Sequence, residues 1–387
     1  MKNLHFRLDR IGRKKLKVTV VGGGNIGMCL AGEISRLREY QVTLYTSRPD
    51  IYDNKYQIED LEKEITFFSG ELDVTNDMKK AIGNAKMIIC TYPAHLRKSF
   101  VQKITPFVQE NTYIGFFPGY GGAEFYCQKL LEKKCTLFAL QKVPYVARIK
   151  EKGKIAGLWS RKKELYVGTI PREKSREVAA ILEDMLLIKC SVLDNYMEAT
   201  LLPGNPILHT SGSFVYLNDY KKGQIFSEQI FYYRKWDDTC SKVCCMFSDE
   251  MIDICNRLPI NLSGVQSIQK YYEANTPEKL TKKFHSIPSF YNLKLPMNKV
   301  EDGYVPDFSS RFFTEDIPNG VCIIKALAIM MDMKTPVIDE ILEWYQRMTG
   351  KEYFKANNEY GKDIQETGIP QLSGINRVEE LCEFYMR

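Results

Sequence analysis

In the N-terminal half, apolar residues form short runs. These runs are separated by stretches in which the apolar residues have helical spacing. The runs predict strands at 16–21, 41–46, 65–69, 86–92, 112–117, 154–159 and 164–169. Apolar residues spaced three or four positions apart predict helices at 28–40, 77–82, 95–108 and 172–187. Alternating strands and helices are typical of a doubly wound, mostly parallel sheet, so we predict an α/β domain over residues 16–190.

The C-terminal half has a different pattern, with longer helical stretches and longer connections. Its apolar spacing predicts helices at 191–202, 224–236, 240–257, 277–284, 320–331 and 337–349. The sequence of this half shows no strand alternation of note. We therefore predict an all-α second domain over residues 191–387, and a basic leader at residues 1–15.

Glycines follow the first predicted strand at the spacing of a nucleotide-binding turn. The run Gly-Gly-Gly-Asn-Ile-Gly begins at Gly22, between a strand and a helix, as the dinucleotide fingerprint requires. Gly22 is expected to make the tight turn, Gly24 to let a pyrophosphate approach, and Gly27 to let the helix pack on the strand. The N–H groups of Asn25 and Ile26, at the helix start, would bind phosphate. This predicts a Rossmann dinucleotide-binding domain; a glycine-rich loop without a ligand is the alternative.

The end of the second predicted strand bears on the choice of nicotinamide cofactor. An NAD site usually has an acid about 20 residues after the glycines. Here Thr46, Ser47 and Arg48 occupy that region, and the next acid is Asp50. Hydroxyl and guanidinium groups bind a 2′-phosphate, which a carboxylate repels. We therefore expect NADP(H) rather than NAD(H); the alternative is that Arg48 is a solvated loop residue.

Other strand ends indicate further contacts with the cofactor. Ligands of such sheets bind beyond the carboxyl ends of the strands. Tyr92 and Pro93 follow one predicted strand, and residues 117–119 follow the next. We expect both segments at the cofactor. Lys142 and Arg148 follow a further predicted strand, and whether they touch substrate or are solvated stays open.

Composition narrows the class of protein. A net charge of +6 over 387 residues is explained by anionic small ligands, so we expect no nucleic acid partner. Seven of the first eighteen residues are Lys or Arg, but an apolar segment is missing, which argues against a secretory signal. No apolar run approaches the ~18 residues of a membrane span, so we expect no membrane partner.

The eleven cysteines bear on location and on metal binding. Without a secretory signal they predict reduced thiols in the cytoplasm. Cys240, Cys244, Cys245 and Cys255 share a helical stretch that has no nearby histidine, so we interpret them as buried apolar residues rather than zinc ligands. No metal is expected.

Among the four histidines, His209 has the most informative surroundings. It lies in the apolar, turn-rich stretch 202–210, whereas His5 is in the leader, His95 starts a predicted helix and His285 ends a charged one. An imidazole with an ordinary pKa near 6.5 suits general acid–base catalysis near neutral pH. From its surroundings alone, His209 fits a hydrogen-bonded core residue as well as a catalytic one.

A second polar segment spans residues 310–320. It contains Arg311, Glu315 and Asp316. An arginine that grips a carboxylate, with an aspartate that orients a histidine, would suit a 2-oxo acid reductase. A structural salt bridge or a helix cap before Pro318 is the alternative.

These motifs together resemble the opine dehydrogenases of the octopine/nopaline type. The resemblance covers nearly the whole chain and is carried by the segments 22–27, 205–209, 311, 315–320 and 327–344. It implies that His209 and Asp316 form the catalytic pair, and that Arg311 and Asn205 bind substrate. It also implies an NAD(P)-dependent oxidoreductase that joins an amino acid or another amine to a 2-oxo acid such as pyruvate, and reduces the imine with hydride.

Two other functions remain as alternatives. One is a 2-oxo acid or hydroxyacid reductase of the ketopantoate-reductase type, which typically uses a lysine and a glutamate that have no convincing counterparts beside His209. The other is a non-enzymatic NADP-binding protein. The sequence leaves open the amine, the 2-oxo acid and the direction of the reaction; a homodimer is one assembly that it allows.

Overall fold

The described part of the chain, residues 15–202 and 204–387 of the computed structural model, divides into two compact units. The first comprises the residues up to Gly119, Tyr126–Ala199 and Tyr385–Arg387; the second comprises Tyr120–Phe125 and Thr200–Phe384. The predicted leader, except for Lys15, lies outside the described residues. The domain boundary at 190–191 stays a prediction.

The strands described in the first unit form two sheets. In chain order the strands are β1 (Leu16–Val21), β2 (Tyr40–Tyr45), β3 (Gln57–Asp60), β4 (Ile65–Phe68), β5 (Asp73–Thr75), β6 (Met87–Cys90), β7 (Tyr113–Phe116), β8 (Thr136–Leu140), β9 (Tyr145–Glu151), β10 (Ile155–Arg161), β11 (Glu164–Ile170) and β12 (Lys189–Val192). The larger sheet has the order β12-β11-β8-β7-β6-β1-β2-β5, and the smaller one has the order β4-β3-β10-β9.

The larger sheet confirms the predicted α/β architecture. Its neighbouring strands are parallel, except that β8 and β11 pair antiparallel. The central strands β6 and β7 are buried at every position. Continuous apolar strands of this kind occur where helices cover both faces of a sheet. The helices of the first unit are Asn25–Ser35, Met78–Ile82, Ala94–Ile104, Gln128–Glu132, Ser175–Leu186 and most of Met197–Thr200.

The smaller sheet corrects the expectation for two predicted strands. The runs at 65–69 and 154–159 do not join the parallel sheet but become β4 and β10. β4 pairs antiparallel with β3, and β10 pairs antiparallel with β9. The links within these two pairs are too short for the crossover helix that parallel neighbours need, so the strands fold as hairpins.

The second unit is mainly helical, as predicted. Its helices are Asn205–Leu217, Asp238–Arg257, Ile268–Tyr271, Pro277–His285, Arg311–Thr314, Cys322–Met330, Pro336–Thr349 and most of Val378–Tyr385, and a π-helical turn spans Ile317–Val321. One hairpin, β13 (Met297–Val300) with β14 (Gly303–Pro306), departs from an all-α domain. In the described residues, no helix is both long and apolar enough to cross a membrane.

Two predicted helices of the C-terminal half are wrong. The segment 224–236 is irregular because its backbone pairs with a distant segment: Phe226 exchanges hydrogen bonds with Tyr304, and the Tyr232 N–H donates to the Leu293 carbonyl at 2.7 Å. The segment 191–202 begins in β12, which pairs with β11, and only Met197–Thr200 is helical. Both segments satisfy their backbone hydrogen bonds through residues far along the chain, which apolar spacing does not reveal.

The stretch around His209 also differs from its prediction. It is not rich in turns but forms the helix Asn205–Leu217, with Pro206 in the first turn. Proline suits that position because the N–H that it lacks would have no partner inside the helix.

Candidate functional site

The glycine turn of the first unit has the geometry that its spacing predicts. Gly22 directly follows β1 and has a φ of 107°, a conformation that favours glycine. A Cβ on Gly27 would overlap the carbonyl oxygen of Gly22, so the helix Asn25–Ser35 lies directly on the turn. Both glycines are therefore required for steric reasons.

The helix start after the turn is suited to an anion. No heavy atom lies within 4 Å of the Cβ position of Gly24, and no side chain caps the helix Asn25–Ser35. Its first N–H groups are left without helical partners, and they favour a phosphate. The Asn25 side chain accepts a hydrogen bond from the Ile149 N–H at 2.8 Å, which tethers the helix start to β9, and Ile26 is half-buried. The open turn therefore fits the pyrophosphate of a dinucleotide.

A tyrosine that sequence reasoning missed lies behind this turn. The Tyr52 hydroxyl donates to the carbonyl oxygen of Gly23 at 2.5 Å. Burial raises the pKa of Tyr52, while the nearby Thr46 hydroxyl and Arg48 guanidinium oppose that rise. Tyr52 stands 25 or more positions beyond the glycines, at no fixed spacing, so no motif announces it.

The predicted 2′-phosphate residues follow β2 directly. Thr46 is buried and its N–H donates to the Thr75 carbonyl at 3.0 Å. Ser47 and Arg48 are exposed. The Ser47 hydroxyl and the Arg48 guanidinium are both hydrogen-bond donors, and neither residue carries a carboxylate.

Tyr92 and Pro93 lie at the carboxyl end of β6, next to β1 in the sheet. A Cβ on Gly22 would be 3.1 Å from the Tyr92 ring, so the two strand ends are in contact. The buried Arg97 donates from Nε to the Tyr92 carbonyl at 3.0 Å. Burial raises the pKa of Tyr92 to about 12.

His209 and Asp316 are in contact within the second unit. His209 Nδ1 lies 2.7 Å from Asp316 Oδ2, although the residues are 107 positions apart. His209 is in the second turn of the helix Asn205–Leu217, and Asp316 immediately precedes the π-helical turn Ile317–Val321. Burial raises the pKa of Asp316, and its hydrogen bond with His209 opposes the rise. The pair has the arrangement in which a carboxylate orients an imidazole.

Aromatic side chains hold the imidazole from two further sides. Phe312 stacks on His209 with ring centroids 3.6 Å apart and an interplanar angle of 6°. The Tyr232 ring meets His209 edge to face, and its hydroxyl donates to the His209 carbonyl at 2.6 Å. Sequence reasoning missed both residues; Phe312 stands next to Arg311, but nothing in the sequence indicates which ring would meet His209.

Arg311 takes part in a salt bridge, which the sequence left open as the alternative to substrate binding. Its Nε donates to Glu315, a carboxylate that is 2% exposed, whereas Asp316 pairs with His209. The Arg311 side chain is 64% exposed, so its terminal nitrogens can reach a ligand. Asn205 is exposed at the first residue of its helix.

Two basic residues that the sequence left open have contrasting surroundings in the first unit. Burial lowers the pKa of Lys142 to about 8. Arg148 is exposed and donates to the Ala147 carbonyl at 2.9 Å. In residues 15–202 and 204–387, no group of three or more His, Cys, Asp or Glu side chains could hold a metal ion.

Comparisons with protein families agree with this division of the chain. Residues 192–349 match the NAD/NADP octopine/nopaline dehydrogenase alpha-helical domain, and residues 17–117 match the N-terminus of NAD-dependent glycerol-3-phosphate dehydrogenase. The second match falls on the glycine turn and on five strands of the larger sheet, β1, β2, β5, β6 and β7.

Named relatives and a solved structure match nearly the whole chain. It is 29% identical to an opine dehydrogenase of Haliotis discus hannai, over 95% of this chain and 98% of the relative. It is 28% identical to a tauropine dehydrogenase of Arabella iricolor, over 94% and 99% respectively. A structure of octopine dehydrogenase with NADH and L-arginine is similar, with a TM-score of 0.84 and 25% identity over 95% of this chain and 98% of that one. The chain is therefore an NAD(P)-dependent oxidoreductase that is similar, over nearly its whole length, to enzymes that act on CH–NH donors.

Proposed function

We propose that this enzyme joins the amino group of an amino acid, or of a related amine, to a 2-oxo acid such as pyruvate and reduces the resulting imine. The contact between His209 Nδ1 and Asp316 Oδ2 at 2.7 Å carries the proposal. A neutral imidazole that donates from Nδ1 to a carboxylate has Nε2 as a proton acceptor. His209 Nε2 is the group that would exchange protons with the substrates.

The condensation needs two proton transfers, and His209 would make both. As the amine nitrogen attacks the 2-oxo carbon and the C–N bond forms, Nε2 takes a proton from the nitrogen. The imidazolium gives this proton to the former carbonyl oxygen, and a second proton then passes from the nitrogen through Nε2 to the same oxygen. With both protons on the oxygen, the C–O bond breaks, water leaves and the C=N bond forms. Asp316 is a positioning residue here, because its buried carboxylate fixes the ring and stabilises the imidazolium.

Arg311 and Asn205 are the proposed substrate-binding residues. Glu315 holds the Nε edge of Arg311, so the two terminal nitrogens of the guanidinium can bind the oxo-acid carboxylate as a fork. Asn205 lies four positions before His209 on the same helix, where its amide can reach a bound substrate. We assign His209 and Asp316 to catalysis, and Arg311 and Asn205 to binding.

The proposed cofactor is NADP(H) in preference to NAD(H), and it supplies the hydride for the imine. The amides at Gly24, Asn25, Ile26 and Gly27 would hold its pyrophosphate beside Gly22. Thr46, Ser47 and Arg48 would hold the 2′-phosphate, and Tyr92 and Pro93 would line the strand ends. The octopine dehydrogenase structure carries NADH, so the preference needs its own measurement.

One matrix of assays tests the function. Oxidation of NADPH and of NADH is measured with amino acids and amines crossed with 2-oxo acids, and products are identified by mass. We expect oxidation only when an amine and an oxo acid are both present, with a secondary amine as product. Oxidation with the oxo acid alone would favour a plain 2-oxo acid reductase, and no oxidation with any pair would favour a binding protein.

Arg311→Lys tests the carboxylate assignment. Lysine keeps the charge but not the planar fork, so KM for the oxo acid should rise about tenfold or more, while cofactor affinity is unchanged. Glu315→Gln is the control, because it removes the salt bridge with Arg311 and keeps the arginine itself. A fall in Tm with an unchanged KM in Arg311→Lys would show that Arg311 is only structural.

The proposal extends to a homodimer in the cytoplasm. Sedimentation at several protein concentrations tests whether the protein is a dimer. Localisation of the tagged chain in cells tests whether it lies in the cytoplasm.

A further inference from the structure

Gly23 is a glycine that the dinucleotide fingerprint does not require. The fingerprint positions are Gly22, Gly24 and Gly27, and Gly23 falls between the first two. Its backbone lies outside the left-handed region, so conformation alone does not demand glycine. A Cβ at this position would overlap the Tyr52 hydroxyl and lie 2.6 Å from Tyr52 Cζ. Glycine is needed at position 23 because Tyr52 occupies that space.

The Tyr52 ring is held firmly in place. Tyr52 is 6% exposed, and its N–H donates to the Pro49 carbonyl at 3.1 Å. The next residue, Asp53, donates from its N–H to the Gly153 carbonyl at 3.1 Å, and a Cβ on Gly153 would lie 2.8 Å from Tyr52 Cα. The phenol therefore approaches the glycine turn from a fixed backbone, and its hydroxyl donates to Gly23 at 2.5 Å.

This hydrogen bond fixes the direction of a neighbouring amide. In a planar trans peptide, the carbonyl of Gly23 and the N–H of Gly24 point in opposite directions. Because the carbonyl points to Tyr52, the Gly24 N–H points to the other side, and the space at the Cβ position of Gly24 is open for 4 Å. We propose that Tyr52 is a positioning residue for the dinucleotide: its hydroxyl holds the Gly23–Gly24 peptide so that the Gly24 N–H faces the pyrophosphate.

Tyr52 also lies beside Thr46 and Arg48, which are proposed to bind the 2′-phosphate of the cofactor. The Thr46 hydroxyl and the Arg48 guanidinium are close enough to oppose the burial that raises the pKa of Tyr52. One phenol therefore contacts the pyrophosphate turn and borders the segment that follows β2. The inference rests on dinucleotide binding, and not on the proposed substrates or on the acid–base role of His209.

The test compares two buried tyrosines whose hydroxyls donate to different backbone carbonyls. Tyr52→Phe removes the bond to the turn, and Tyr56→Phe removes a similar buried bond, from the Tyr56 hydroxyl to the Met28 carbonyl at 2.6 Å. Dissociation constants for NADH and NADPH are measured by nicotinamide fluorescence, and that for ADP-ribose by competition. We expect Tyr52→Phe to raise all three roughly 2- to 10-fold, and Tyr56→Phe to leave them unchanged.

Thermal unfolding of both variants separates the proposal from a general loss of stability. If both variants lose a similar amount of Tm and only Tyr52→Phe binds the dinucleotide more weakly, the positioning role of Tyr52 is supported. Unchanged affinity in Tyr52→Phe, or equal weakening in Tyr56→Phe, overturns it. Because no amine or oxo acid is present, failure of the proposed reaction would not affect these measurements.

A double-mutant cycle gives a second, independent test. Gly23→Ala in the natural background should weaken NADH binding strongly, because the new methyl displaces Tyr52 or the turn. In a Tyr52→Ala background that overlap is removed, so the same substitution should change the affinity by less than about twofold. An equal effect in both backgrounds would show that Tyr52 is not the reason for glycine at position 23.

Discussion

The nucleotide turn of the first unit and the histidine–aspartate pair of the second are built in opposite ways. The turn uses six consecutive residues, and its working groups are backbone amides. The pair joins side chains 107 positions apart, from two helical segments. A site made of backbone follows mainly from a local pattern, since glycine spacing decides where the chain can turn, although the distant Tyr52 holds one of its peptides. A site made of side chains exists only after distant segments have packed.

Removing the imidazole should have the largest effect on the reaction. General acid–base catalysis typically contributes about 10²–10⁴-fold, so His209→Ala should lower kcat by that order while NADPH still binds, because the cofactor turn belongs to the other unit. Steady-state kinetics and fluorescence titration measure the two effects.

The matched control is His285→Ala in the same unit. His285 Nε2 lies 2.9 Å from the Trp236 carbonyl oxygen, so this change removes a structural histidine and should leave kcat unchanged. The double variant His209→Ala with Asp316→Ala should lose little more than His209→Ala, since the two act as one unit. Near-normal turnover in His209→Ala would remove that residue from the mechanism.

Two glycine substitutions separate packing from binding within the turn. Gly27→Ala overlaps the Gly22 carbonyl and should lower the free energy of unfolding by about 1–3 kcal/mol. Gly24→Ala meets no atom within 4 Å, so stability should be unchanged. Its methyl would instead stand where the pyrophosphate approaches, and loss of one charge-assisted bond would raise Kd for NADPH about 10- to 150-fold.

Chemical denaturation and fluorescence titration of both glycine variants provide the measurements. Tight NADPH binding by Gly24→Ala would show that the pyrophosphate does not lie against this glycine.

Arg48→Ala tests cofactor choice with a smaller expected effect. Arg48 is exposed, so the lost contact with a 2′-phosphate should fall at the low end for a charged hydrogen bond, about 1.5 kcal/mol, or roughly tenfold in Kd for NADPH. Affinity for NADH should not change. Arg38→Ala, which removes another exposed arginine of the same unit, controls for net charge. Equal losses for both cofactors in Arg48→Ala, or a natural preference for NADH, would contradict the assignment.

The last effect concerns the pH dependence of stability. Burial lowers the pKa of Lys142 to about 8 from 10.5, so between these values the unfolded chain binds the proton that the folded chain has released. Stability should therefore rise with pH across that window. Lys142→Met should flatten the rise, and Lys163→Met, at an exposed position, should not. Unfolding by urea from about pH 7 to about pH 10 measures the free energy of unfolding at each pH. The same pH dependence in both variants would show that Lys142 does not cause the rise.

Prediction from sequence succeeded where neighbours along the chain decide the structure. The strands β1, β6 and β7 and the helix Asp238–Arg257 were predicted closely, because continuous apolar runs and helical spacing are local signals. The segment 224–236 was predicted as a helix and is irregular, because Phe226 and Tyr232 bond to residues 60 to 80 positions away. The hairpin β13–β14 also escaped prediction, although its two strands are neighbours along the chain.

The residue types of both candidate sites could be chosen in advance, but most of their contacts could not. Glycine spacing, the acid-free end of β2 and the family resemblance of the segments around His209 and Arg311 determined which chemistry to expect. The resemblance also implied the pairing of His209 with Asp316, which are in contact in the structure. Only the tertiary structure paired Arg311 with Glu315, stacked Phe312 on the imidazole and brought Tyr52 to Gly23. The physical reason is separation along the chain. The local signals that predict a strand, a helix or a turn come from adjacent residues. The partner of a side chain is whichever distant group the packed core leaves within about 3–4 Å.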